Sequence, residues 1–190
     1  MSQRSTRIAT RFLSAILPGG IVAAGLAVAA TAAAEPVTEL RAEIPDALVI
    51  TKSSNKNQVN YAVEVDAACA PSGPSPVRAY WRMLEHGAAA TEPLRDDEAR
   101  AFGIEHQVVH PGAGPQAIEV VLRGLPARAL TIHTWRSPAG TCASSVNMTI
   151  AGVPARVANV HVQQTLFGIA YVLLTGYSPT GAVLRERVAP

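Results

Sequence analysis

Five histidines, His86, His106, His110, His133 and His161, are the residues best suited to metal binding or proton transfer. His106 and His110 stand four apart, the spacing that lets two imidazoles on one helix face share a zinc ion. Val108-Val109 between them and Pro111-Gly112 after them favour a strand instead. Four residues along a strand span about 13 Å, beyond the reach of one ion, so no metal site is expected there. Asp96-Asp97-Glu98 offers three carboxylates but lacks the alternating oxygen ligands of a calcium loop. It reads as the acidic first turn of a helix. Neither G-x-S-x-G nor H-E-x-x-H occurs, no cofactor signature is present, and no catalytic residue is assigned. Asn147-Met148-Thr149 matches the N-glycosylation triplet.

Two clusters suit ligand binding. Asn55-Lys56-Asn57 joins two early strands and offers amide and ammonium donors. The same residues would also make an ordinary turn, since Asn tolerates positive φ and Lys stays wet. Arg78, Tyr80 and Arg82 alternate along one strand and so share a face. Such a face is either solvated, with arginine lying over aromatic rings, or the wall of an anion-binding concavity. Tyr61 lies on the neighbouring strand.

The elements that must position these residues follow a period of two. Val59, Tyr61, Val63 and Val65 alternate with Asn60, Glu64 and Asp66; Leu130, Ile132 and Thr134 alternate with Thr131, His133 and Trp135. Strands are predicted near 47–52, 58–66, 76–84, 104–110, 116–123, 128–136, 142–150, 155–166, 169–176 and 182–188. Polar or Pro/Gly-rich turns separate them, at 53–57, 111–115, 137–140, 152–154 and 178–181. These gaps are too short for parallel crossovers, so the pairing should be mainly antiparallel. One short helix is predicted near 96–102, with Gly103 ending it. The expected fold is all-β, a barrel or sandwich of about nine to ten strands with one short helix.

The N-terminus reads as an export signal over 1–34. Arg4, Arg7 and Arg11 precede an apolar run over 12–30, and Ala32-Ala33-Ala34 suits signal peptidase. An uncleaved membrane anchor is the rival, so membrane contact is expected only through this segment. An extended lead-in over 35–46 and a single β domain over 47–190 should follow. The signal holds three of the 16 basic residues, leaving 13 against 14 acidic ones, a net charge of −1. No Lys/Arg run remains, and nucleic-acid binding has no electrostatic footprint. Cys69 and Cys142 most simply form a disulfide in an oxidising compartment, periplasmic or extracellular; two buried thiols are the alternative.

Several of these segments carry a family resemblance. Residues 48–57, then Val59 and Tyr61, resemble the opening of an uncharacterised bacterial exported family, domain of unknown function 4833. Ala79-Tyr80-Trp81-Arg82 is similar to that family's Tyr-Trp strand, and 98–103 to its short helix ending in aromatic-Gly. Residues 171–176, with Thr180-Gly181 and Glu186, resemble its closing hairpin. The resemblance implies an exported domain without a known activity and supplies no catalytic residues.

The expected function is a non-enzymatic binding or envelope-associated module. Its ligand surface would be Asn55, Lys56 and Asn57 beside Tyr61, Tyr80 and Arg82, taking a small anionic ligand or an envelope component. Two alternatives stay open. One is an envelope-directed or extracellular hydrolase with acid and base drawn from Glu64, Asp66, His133 and His161. The other is a structural envelope protein.

Overall fold

The computed structural model describes residues 42–53, 55–84, 90–111, 116–166 and 168–189. The expected signal, the 35–41 part of the lead-in, His86 and the 112–115 part of one turn lie outside the described residues. Eleven strands and one helix follow in order: β1 (Ala42–Lys52), β2 (Gln58–Val65), β3 (Val77–Arg82), β4 (Thr91–Pro93), α1 (Asp96–Phe102), β5 (Ile104–His110), β6 (Gln116–Leu122), β7 (Ala129–Arg136), β8 (Cys142–Ile150), β9 (Val153–Thr165), β10 (Gly168–Tyr177) and β11 (Val183–Val188). The all-β, mainly antiparallel architecture with one short helix agrees with the sequence pattern. Two elements extend it. β1 starts at Ala42, so the last five residues of the expected lead-in are strand, and the three-residue β4 was not expected.

The strands form one mixed sheet that forks at β9 and does not close into a barrel. The first half of β9 pairs with β8 (Asn147 opposite Arg156), and its second half pairs in parallel with β1 (Ile50 opposite Val160). One arm therefore runs β4-β3-β2-β1 and the other β5-β6-β7-β8, with β10 and β11 continuing beyond β9. The parallel pair joins strands more than a hundred residues apart, so short turns between neighbours could not reveal it.

The inner faces of both arms share one core. Ile50 of β1, Val59, Tyr61 and Val63 of β2, Ile118 and Val120 of β6, Ile132 of β7 and Leu174 of β10 are all buried in it. Side-chain links also fasten these elements to one another. Tyr61 donates its hydroxyl to the Phe102 carbonyl at 2.6 Å. The Gln107 amide imitates a strand partner for Val77, accepting from its N–H at 2.8 Å and donating to its carbonyl at 3.1 Å. The disulfide Cys69–Cys142 ties the loop after β2 to the start of β8, with Cα atoms 5.3 Å apart. A side chain thus stands where a backbone ladder between β3 and β5 would have closed a barrel.

The helix has the expected acidic first turn, Asp96-Asp97-Glu98, and is followed by Gly103 as expected, but the glycine's role differs. Arg95 at its start has no hydroxyl, and Glu98 reaches back to accept the Arg95 N–H at 2.9 Å. Gly103 follows at φ −66°, not in the left-handed conformation that usually favours glycine there. Glycine is needed for closeness: a Cβ would sit 2.2 Å from the Ala99 carbonyl oxygen.

Candidate functional site

The expected ligand residues fall into three different environments. Tyr61 lies on the inner face of β2, 1% exposed, with its hydroxyl spent on Phe102. Burial pushes its phenol pKa well above the usual value. It belongs to the core rather than to a ligand surface, because its strand position alternates with Asn60 and points inward.

Tyr80 and Arg82 lie on the opposite, outer face of the same arm. β1 bulges between Ile44 and Leu48, and Asp46 sits in that bulge at φ 57°. Its carboxylate collects hydrogen bonds from the Asn60 amide and from the Tyr80 hydroxyl (3.0 Å), and it pairs with Arg82 at 2.6 Å. Burial pushes the Asp46 carboxyl up, but the bonds from Asn60, Tyr80 and Arg82 and the Arg82 charge outweigh it and hold the pKa below 3.8. Burial and the Asp46 carboxylate both raise the Tyr80 pKa. Arg78 on this face pairs with Glu43 at 2.5 Å. The arginine face expected to attract an anion is therefore neutralised by carboxylates of the chain itself.

Asn55 and Asn57 enter the third environment, a cleft of about 210 Å³ at one end of the first arm. Asn55 forms the expected turn, its side-chain oxygen accepting the Asn57 N–H at 3.1 Å. Both asparagines line the cleft, while Lys56 is exposed outside its lining. Lys52 from the end of β1, Trp81 from β3, Glu92 from β4, and Arg95 and Glu98 at the start of α1 complete the polar wall. Trp81 is 4% exposed, packs edge-on against Phe102 at 5.9 Å, and carries the Lys52 ammonium 4.2 Å above its ring. Among the described residues its indole N–H makes no hydrogen bond of full geometry. It lies close enough to Glu98 to help lower that carboxyl's pKa without reaching hydrogen-bond geometry. Burial raises the Glu98 pKa; the backbone and side chain of Arg95, then Trp81, bring the net result below its ordinary value. A buried donor whose bond is incomplete is costly, which makes Trp81 the chemically unfinished point of the cleft.

The residues considered for hydrolysis do not meet. Asp66 accepts the Ala68 and Ala70 N–H groups and shapes the loop after β2. His161 on β9 lies 3.0 Å from the Thr51 hydroxyl, whereas His133 lies on β7 opposite Ser145, on the other arm. Among the described residues no group of three His, Cys, Asp or Glu side chains could hold a metal ion.

The family model described as a domain of unknown function, DUF4833, matches residues 48–187. The chain belongs to the DUF4833 family. No curated protein and no solved structure matches it. Three of the DUF4833 segments recognised in the sequence border the cleft: 48–57 supplies Lys52, Asn55 and Asn57, 79–82 supplies Trp81, and 98–103 supplies Glu98. The parts that sequence reasoning left out of the site were Lys52, Trp81, Glu92, Arg95 and Glu98. Alternation alone could have found two of them. Lys52 continues the inward row Leu48, Ile50, and Trp81 stands on the face opposite to Tyr80.

Proposed function

We propose that this DUF4833 protein is an exported, non-enzymatic binding module whose cleft beside Trp81 takes a small polar ligand. The observation that carries this reading is the buried indole N–H, short of a full hydrogen bond to Glu98, in a cleft walled by amides and by charges of both signs. A ligand oxygen, from a carboxylate or a hydroxyl, would complete the Trp81 hydrogen bond. The asparagine amides and the Glu92 carboxylate would fix its other polar groups. The cleft volume suits a monosaccharide or an amino-acid-sized molecule rather than a polymer. An oxidising compartment is supported by the disulfide and by the signal pattern over 1–34.

The chain has two tryptophans, Trp81 and Trp135, so fluorescence can report the cleft. In a Trp135→Phe background, a panel of small carboxylates, amino acids and monosaccharides should include compounds that shift Trp81 emission saturably. Trp81→Phe keeps a ring and removes the N–H. Calorimetry should then show affinity for the same compound weakened about fivefold to tenfold, the loss of roughly one hydrogen bond. A panel without any saturable response, or unchanged affinity in Trp81→Phe, would overturn the reading.

A further inference from the structure

Charge is segregated along this chain and becomes segregated in space. Every one of the 14 acidic residues except Glu186 lies at or before Glu119. Glu186 is not on the outer surface. It points to the inner side of β11, where Arg128 pairs with it at 2.5 Å and the Ala151 N–H donates to it at 2.7 Å. Among the described residues the outer face of β7 to β11 consequently has no carboxylate.

Three arginines stand on that face. Arg156 on β9 is opposite Tyr177 on β10, with its guanidinium 5.8 Å from the ring centre. Arg187 on β11 lies 3.9 Å from the ring centre of Tyr171. Arg185, opposite Thr175, stands between them along β11. All three are exposed, and none has a carboxylate partner within salt-bridge distance among the described residues. Arg156 also borders a groove of about 430 Å³ whose mixed lining includes Thr131, Asn147 and Ser178 together with Met148, Pro154 and Tyr177.

We infer that this face binds an anionic polysaccharide. Side chains two apart on a strand are about 7 Å apart, and two strands lie about 10 Å across the sheet. Arginines spread over that grid, two of them held over tyrosine rings, match a chain that repeats its charge. Guanidinium groups recognise carboxylates by paired hydrogen bonds, and hydroxyl and amide side chains in the groove suit a hydroxyl-rich backbone. Single-stranded nucleic acid would look for open aromatic platforms, whereas both tyrosine rings already carry a guanidinium. The site lies apart from the Trp81 cleft and does not depend on the ligand proposed there.

The test uses the disulfide-intact protein and immobilised polygalacturonate, a carboxylated polysaccharide. The wild type should be retained and released by salt. Arg156→Gln/Arg185→Gln/Arg187→Gln should bind at least tenfold more weakly with an unchanged circular-dichroism spectrum. Arg185→Gln alone should give an intermediate loss. Arg123→Gln removes a charge that is already paired with Glu105 at 3.5 Å and should bind as the wild type. The inference is overturned by a wild type that is not retained or by a triple variant of undiminished affinity. It is equally overturned by an Arg123→Gln loss as large as that of Arg185→Gln, or by equal binding to oligo-dT or anionic phospholipid vesicles.

Discussion

Two outer faces of the same sheet carry the same residue types and use them differently. On the β1–β3 arm, Arg78 and Arg82 flank Tyr80, and each arginine has a carboxylate of the chain within 2.6 Å. On the β9–β11 face, Arg156 and Arg187 lie over Tyr177 and Tyr171, and no carboxylate is near. The difference comes from the partner strand. β1 brings Glu43 and the bulged Asp46 beside β3, whereas β8, β9 and β10 carry no acid at all. An arginine with a carboxylate at hand contributes to the fold. One without it remains available to something outside the molecule.

The comparison is sharpened first by removing what fastens the arms. The disulfide runs from the β1–β3 arm to β8 across 73 residues. Cys69→Ser/Cys142→Ser should lower unfolding free energy by about 4 kcal/mol in the chain-entropy account, measured by urea denaturation. A loss under about 1 kcal/mol would mean that the core and Gln107 hold the arms without it.

Asp46 comes next. Asp46→Ala strips Asn60, Tyr80 and Arg82 of their shared acceptor and should cost about 2 kcal/mol, because groups in this part-buried cluster are left unmatched. The pH dependence has a definite sign. The folded pKa of Asp46 is depressed below 3.8, so its contribution is complete above that value and is lost as pH falls through the lower folded value. Asp46→Asn should flatten this acid limb in a series of melts between pH 5 and pH 2. An unchanged limb would mean that the cluster does not depend on the charge.

The sequence was informative in proportion to how local each determinant is. The acidic first turn with Gly103 located the helix at 96–102, and alternation located ten strands, because a one-residue slip would turn buried valines outward. It missed β4, where Thr91-Glu92-Pro93 is too short to show a period and all three residues are exposed. It favoured the Cys69–Cys142 bridge from redox logic. The fork at β9 and its parallel contact with β1 depend on distant pairing and left no local trace. At the site, Asn55 and Asn57 were within reach because a loop announces itself, but Tyr61 and Tyr80 were grouped although they lie on opposite faces. Asp46, whose bulge neutralises Arg82, was read as featureless lead-in. The basic face was hidden for a simpler reason. Its three arginines never form a run, and the sign of the field comes from the acids that are missing between Val120 and Arg185.

The smallest expected effect separates the two faces most cleanly, because it differs in sign. Arg78 and Glu43 make an exposed pair, side chains 49% and 36% accessible, so Arg78→Ala should destabilise by at most about 1 kcal/mol at low salt. Arg185 and Arg187 are like charges about 7 Å apart on one strand. At that distance in water their repulsion is roughly 0.5 kcal/mol before screening. Arg185→Ala should therefore leave stability unchanged or raise it by a few tenths of a kcal/mol. Salt should erase both effects from opposite directions, since at 1 M the Debye length falls to about 3 Å. Paired urea titrations at about 20 mM and 1 M salt would show it. If Arg185→Ala destabilises as Arg78→Ala does, and salt weakens the loss, then Arg185 is held by a partner within the chain and the two faces are alike.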